Sequence, residues 1–158
     1  MYAKGISVGA LVNAFVTAAL ADDDDDEDGL AELTEGRIQA GARRPPGHAN
    51  PYLTIFSLPG MRKVNCGIEE IPIQFVCTAD NIGNTKTMAD IETLDAIIGR
   101  VQELFINQPE SISLDDVKIL NIITDGGPQV PVWDENFKDE HYGWIRLRVM
   151  GVKLDEEI

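Results

Sequence analysis

Between Thr87 and Phe105, apolar residues return every three or four positions, at Met88, Ile91, Leu94, Ile98, Val101 and Phe105. That spacing predicts a helix with one apolar stripe, which must lie on something flat and apolar. Two upstream segments have strand character. Pro51–Leu58 sets Tyr52, Thr54, Phe56 and Leu58 against Leu53, Ile55 and Ser57, so both faces are partly covered and a central strand is expected. Ile71–Ala79 is rich in β-branched residues. Downstream, the near-continuous apolar run Val117–Ile123 reads as a buried strand. Tyr142–Val152 alternates Ile145, Leu147 and Val149 against Trp144, Arg146, Arg148 and Met150, as a half-exposed strand does. Near the start, Ile6–Leu20 predicts a second helix, because Ile6, Leu11, Val12, Phe15, Ala19 and Leu20 fall mostly on one side. Together these elements predict an α/β (α+β) two-layer sandwich: a mixed, mostly antiparallel sheet with helices packed on one face.

The breakers divide the chain further. Thr87 with Asp90 three residues on fits a variant of the capping box, and Pro109 stops the helix near Asn107. Pro59-Gly60 ends the first strand, and Met61–Ile68 reads as one side of a protruding β-hairpin that returns through Glu69–Thr78. Pro72 predicts that the return strand is at an edge, or bulged near its start. Gly29–Glu35 is a short helix or turn, and Arg37–Gln39 a first edge strand before the Pro/Gly-rich linker Gly41–Asn50. Gly126-Gly127 breaks the late apolar run, and Pro128 and Pro131 make Gln129–Trp133 an edge strand or a loop. Residues 155–158, charged over Asp155–Glu157, are expected to form a loose tail.

A length of 158 residues fits one domain, 1–158, able to bury a core without disulfides or metals. The charge changes the picture more than the length does. Thirteen basic against twenty-seven acidic residues give a net −14, which opposes binding to a phosphate backbone but suits a lumen through which a duplex slides without sticking. The Asp-rich acidity also fits a high-salt host. Cys66 and Cys77 match neither a redox pair nor a zinc knuckle and read as buried thiols, although strands of one hairpin would leave a disulfide open. Lys4, the apolar run and Ala19-Leu20-Ala21 mimic a secretory signal. Gly9, Asn13 and Thr17 interrupt the run, so it reads as a domain helix, too short and broken for a membrane span.

The candidate chemistry is thin. Asp22–Asp28 is a block of seven consecutive acids that reads as a solvated loop. Within it Asp24, Asp26, Asp28, Gly29 and Glu35 occupy positions 1, 3, 5, 6 and 12 of a calcium-loop pattern, with Leu30 and Glu32 at positions 7 and 9. Composition alone satisfies three of these positions, Ala31 replaces the larger aliphatic at position 8, and Gly36, Gly41, Pro45 and Pro46 follow where an exiting helix belongs. The solvated loop is therefore preferred to a metal site. His48 and His141 lie in loop-like sequence without a nucleophile or metal-spaced partner, and Glu69 and Glu70, adjacent on a strand, point to opposite faces. No catalytic residue, cofactor or enzymatic activity is expected. Trp133, Phe137, Tyr142 and Trp144 crowd one hairpin tip, as a subunit contact or a satellite of the core; Trp133, Tyr142 and Trp144 are the interface candidates.

The order of helix, acidic gap, short RIQ-containing strand and Asn50-Pro51-Tyr52-Leu53-Thr54-Ile55-Phe56 resembles the start of phage tail terminator (tail completion) proteins. The likeness continues through Ile73-Gln74-Phe75-Val76-Cys77, the helix Thr87–Phe105 and the strand Trp144–Val149, covering roughly nine-tenths of the chain; the acidic block and the Pro128–Asp139 insertion depart from it. The resemblance implies a structural virion protein assembled in the host cytoplasm. Its subunits would form a homo-oligomeric, hexameric ring that caps the tail tube, ends tail polymerisation and meets the head or neck connector proteins, while DNA passes through the lumen without specific binding. Two other classes stay open: a head-to-tail connector or neck protein, and a calcium-dependent secreted binding module.

Overall fold

The computed structural model describes residues 5–23, 29–41, 51–58, 63–65, 67–80, 88–132 and 140–154. Its elements follow in the order α1 (Val8–Leu20), α2 (Leu30–Leu33), β1 (Ile38–Ala40), β2 (Tyr52–Ser57), β3 (Lys63–Asn65), β4 (Ile68–Asp80), α3 (Met88–Phe105), a 3-10 turn (Pro109–Ser111), β5 (Val117–Val132) and β6 (Glu140–Lys153). The strands lie in the order β1-β2-β4-β6-β5, with β3 pairing β4 off this path. Only the β1–β2 pair is parallel among them; the others are antiparallel. This is the α+β architecture that the hydrophobic pattern predicts.

The core lies on one face. Ile71, Ile73, Phe75, Cys77 and Ala79 of β4, Ile145, Leu147 and Val149 of β6 and Leu53 and Ile55 of β2 meet the buried stripes of the helices. Helix α1 contributes Leu11, Val12, Phe15 and Ala19, and Ser7 caps its start by accepting the Ala10 N–H. Its predicted last apolar residue, Leu20, is instead exposed. Helix α3 contributes Leu94, Ile97, Ile98, Val101 and Phe105. Ile97 widens the predicted stripe, whereas the Met88 and Ile91 side chains and the Thr87 cap lie outside the described residues. Three rings join the layers: Phe15 stands 4.9 Å from Phe105 and 5.6 Å from Phe75 between centroids, both edge-on, and Phe75 and Phe105 are 5.6 Å apart. Helix α3 ends where Asn107 turns left-handed (φ 57°), a conformation asparagine tolerates after a helix.

Several expectations are corrected. Strand β4 is central, held by β2 and β3 along one side and by β6 along the other. Pro72 is tolerated because the β2 ladder stops at Ile73 and the β3 ladder starts at Glu70. Its carbonyl faces this gap, accepting the Ser57 hydroxyl at 3.2 Å, so the missing N–H removes no ladder bond. The run Val117–Ile123 is no buried strand. It begins the edge strand β5, in which Ile122 is buried but Leu120, at a register shift, is exposed. Gly126-Gly127 does not end that strand either: β5 continues to Val132 through further shifts, where the edge position accommodates Pro128 and Pro131. Glu69 lies on the helix face, 7% exposed, and accepts the Ile6 N–H at 2.6 Å, which ties the chain ahead of α1 to the sheet. The expected hairpin is the short β3–β4 pair, Lys63–Asn65 against Ile68–Glu70.

Truncating the α3 stripe tests this packing. Ile98→Ala should cost about 2–5 kcal/mol in denaturant unfolding, as buried aliphatic truncations do, and a loss under about 0.5 kcal/mol contradicts it.

Candidate assembly surface

Because α1, α2 and α3 lie on one face, no helix among the described residues covers the other. Alternation along the strands places on this outer face Thr54 and Phe56 of β2, Gln74, Val76 and Thr78 of β4, and Tyr142, Trp144, Arg146, Arg148 and Met150 of β6. The register aligns them in rows: Tyr52, Thr78 and Tyr142; Thr54, Val76 and Trp144; Phe56, Gln74 and Arg146. On β2, Tyr52 and Thr54 are buried and hydrogen-bonded, Tyr52 to Gln39 at 2.7 Å and Thr54 to the Val76 carbonyl at 3.2 Å. The β4 and β6 members are half-buried.

Two of the three interface candidates can be placed. Tyr142 and Trp144 lie on the outer face of β6, paired to Thr78 and Val76 of β4. Trp144 is therefore inside a ladder, between β4 and β5, and not at a hairpin tip. Trp133 and Phe137 lie outside the described residues.

Sequence reasoning missed the charged group beside them. Asp125 of β5 accepts from Arg148 Nη2 at 2.9 Å and from Arg146 Nε at 3.1 Å, so two guanidiniums share one carboxylate. Gly126 seats Arg146, since a Cβ there would stand 2.9 Å from Nη2. The available signal was two arginines spaced by two on one strand, a period that puts both on one face.

The acidic block is only partly what it promised. Asp24, Asp26 and Asp28 lie outside the described residues, but Asp22 is not solvated. Its side chain is 7% exposed and takes a bidentate contact from Arg100 of α3, at 2.7 and 2.8 Å, together with the Leu30 N–H at 2.8 Å. The Arg100 hydrogen bonds hold the Asp22 carboxyl below its ordinary value. Asp23 beside Glu32 raises the Glu32 carboxyl. Gly29 has its own steric reason: its backbone is extended (φ −75°), and a Cβ would overlap the Asp22 carbonyl oxygen. Glu35, the proposed twelfth ligand, sits left-handed (φ 53°) in the turn before β1 and pairs with Arg37 at 2.6 Å. The backbone from Gly29 to Glu35 is thus a one-turn helix and a turn into a strand, without an exiting calcium-loop helix.

His48 lies outside the described residues, as does the His141 side chain, while Glu69 and Glu70 do fall on opposite faces. Cys77 is a free thiol buried in the core, and burial pushes it up to about 12; Cys66 lies outside the described residues. Among those residues no helix is long and apolar enough to cross a membrane.

A scan against protein-family models gives no match. A comparison with curated proteins gives none either. Among solved structures, a chain of the virion of a native gene transfer agent (GTA) particle shares the fold, with a TM-score of 0.62 over 91% of this chain and 96% of that one, at 15% sequence identity.

Two measurements check these local arrangements. Asp22→Asn should lower stability by about 1–3 kcal/mol at pH 7. Because the folded Asp22 value lies below the unfolded one, near 3.8, its contribution is full above that value and is lost as pH falls through the folded value. Urea unfolding across pH should therefore show the wild-type advantage closing only below about pH 4; an advantage that closes between pH 5 and 7 contradicts the assignment. Cys77 should resist thiol reagents in the native protein and react upon unfolding; rapid native labelling at Cys77, read by peptide mapping, contradicts its burial.

Proposed function

We propose that this chain is a structural protein of a phage-like virion and, within that class, a tail terminator: a subunit of a hexameric ring that caps the tail tube, ends its polymerisation and joins it to the head or neck. The observation that carries the virion reading is the shared fold, which extends over nearly the full length of both this chain and one from a gene transfer agent virion. The finer reading rests on the resemblance of element order and strand sequence to tail terminators. A head-to-tail contact between different surfaces of identical subunits closes into a ring when its rotation closes. A sheet with one face that no described helix covers, bounded by the long β5–β6 pair, offers such surfaces. The net charge of −14 supports a lumen that repels phosphate, through which DNA passes without binding.

The secreted calcium module fits less well, because Glu35 is engaged by Arg37 and Gly29 does not make the sharp turn of a calcium loop. Enzymatic activity has no part in the proposal.

Disrupting the gene in its native source and measuring tails by electron microscopy tests the terminator role. Overlong tails are expected; tails of normal length on filled heads contradict it. Finished tails of normal length that fail to join heads favour the connector.

A further inference from the structure

Strand β5 is the long edge of this sheet. Among the described strands, β1 and β3 have three residues each, too few to template a strand from another molecule, whereas β5 has sixteen and is paired by β6 on one side. Its run Ile119-Leu120-Asn121-Ile122-Ile123-Thr124 carries neither charge nor proline, and Leu120 within it is exposed. Short segments of high β propensity without charge or proline, displayed on a sheet edge, are those that pair with copies of themselves.

The backbone of this run is nevertheless closed. Asn121–Thr124 is the longest stretch of β5 in unbroken register with β6, and in an antiparallel pair alternate residues direct both backbone groups away from the partner strand. Ile122 is such a residue. Its N–H donates to Asn121 Oδ1 at 2.9 Å, and its carbonyl accepts, at 2.8 Å, the N–H of Asn107 in the turn that ends α3. Its side chain is fully buried in the core, which holds the residue in place. On either side the ladder shifts register, between Ile119 and Asn121 and between Thr124 and Gly126, and farther along β5 Pro128 and Pro131 have no N–H to give.

We propose that Asn121 and the Asn107 turn form an edge guard, an intramolecular contact occupying the backbone groups through which β5 would pair with the same strand of a second copy. The Asn121 side chain covers the donor and the Asn107 backbone covers the acceptor. The near-continuous apolar run that the core requires at Ile122 is thereby kept from joining copies edge to edge. The guard acts whether or not copies close into a ring.

The test is residue-resolved hydrogen exchange on the purified full chain, with light scattering and thioflavin T binding over a range of concentrations. Wild type is compared with Asn121→Ala and with Asn121→Ala combined with Leu120→Lys. In wild type the Ile122 amide should exchange at least tenfold, in order of magnitude about one decade, more slowly than an unbonded amide. Asn121→Ala should abolish that protection and form thioflavin-positive assemblies at about a tenth of the concentration that wild type needs. Adding Leu120→Lys places a charge on the exposed edge and should restore solubility without restoring protection, which separates edge pairing from a general loss of stability. Should Asn121→Ala fail to fold, Asn121→Gln, which carries its acceptor one carbon farther out, takes its place. A wild-type Ile122 amide that exchanges like an unbonded one overturns the guard, whatever the variants do. Equal solubility of wild type and the folded Asn121 variant also overturns it, as does aggregation that Leu120→Lys leaves unchanged.

Discussion

The fold depends on a layer contact made once, on one side of the sheet. Phe75 of β4 meets Phe15 of α1 and Phe105 of α3, and these rings bring two helices far apart in sequence to the same strand. Edge-on aromatic pairs add roughly 0.5–1.5 kcal/mol beyond the area they bury, and here their geometry also fixes where each helix lies. Alternation along β4 and β6 does the rest. When Ile71, Ile73, Phe75, Ile145, Leu147 and Val149 face the helices, Gln74, Val76, Trp144, Arg146 and Arg148 must face the other way. The outer face of the sheet is thus the geometric complement of the core.

The periodic elements were legible because their patterns report burial directly. The α3 stripe and the alternation in β6 each needed only one buried face. Where reading failed, the deciding information was nonlocal. Pro72 argued for an edge, yet β4 is central, because the gap between β2 and β3 that admits a proline is a property of three strands together. Val117–Ile123 argued for a buried strand, but its apolar side chains are divided by a register shift at Leu120, and the Asn107 N–H covers the Ile122 carbonyl on the outer edge at 2.8 Å. Trp144 was assigned to a tip when it belongs to a ladder. Nor does a single residue reveal its ion pair: Asp22 looked like one more member of an acidic run, and its partner Arg100 lies 78 positions away.

Charge links the fold to the proposed role. Each described contact of Arg37 and Arg100 spends a basic side chain on internal order: Arg100 ties the start of the acidic run to α3, and Arg37 holds the turn into β1 while donating to the Pro51 carbonyl. Arg146 and Arg148 share Asp125 on the face that no described helix covers. In the proposed ring, the same acidity would line a bore that does not retain DNA.

The central claim, that this fold works as a ring subunit at the end of a tail, is tested most directly by cryo-electron microscopy of intact particles from the native source, focused on the joint between head and tail. The account predicts a sixfold ring of this fold seated on the last tier of the tube, with the outer face of β4 and β6 against a neighbouring subunit. Density for this fold elsewhere in the particle, or a joint in which no copy of it is present, would contradict the account.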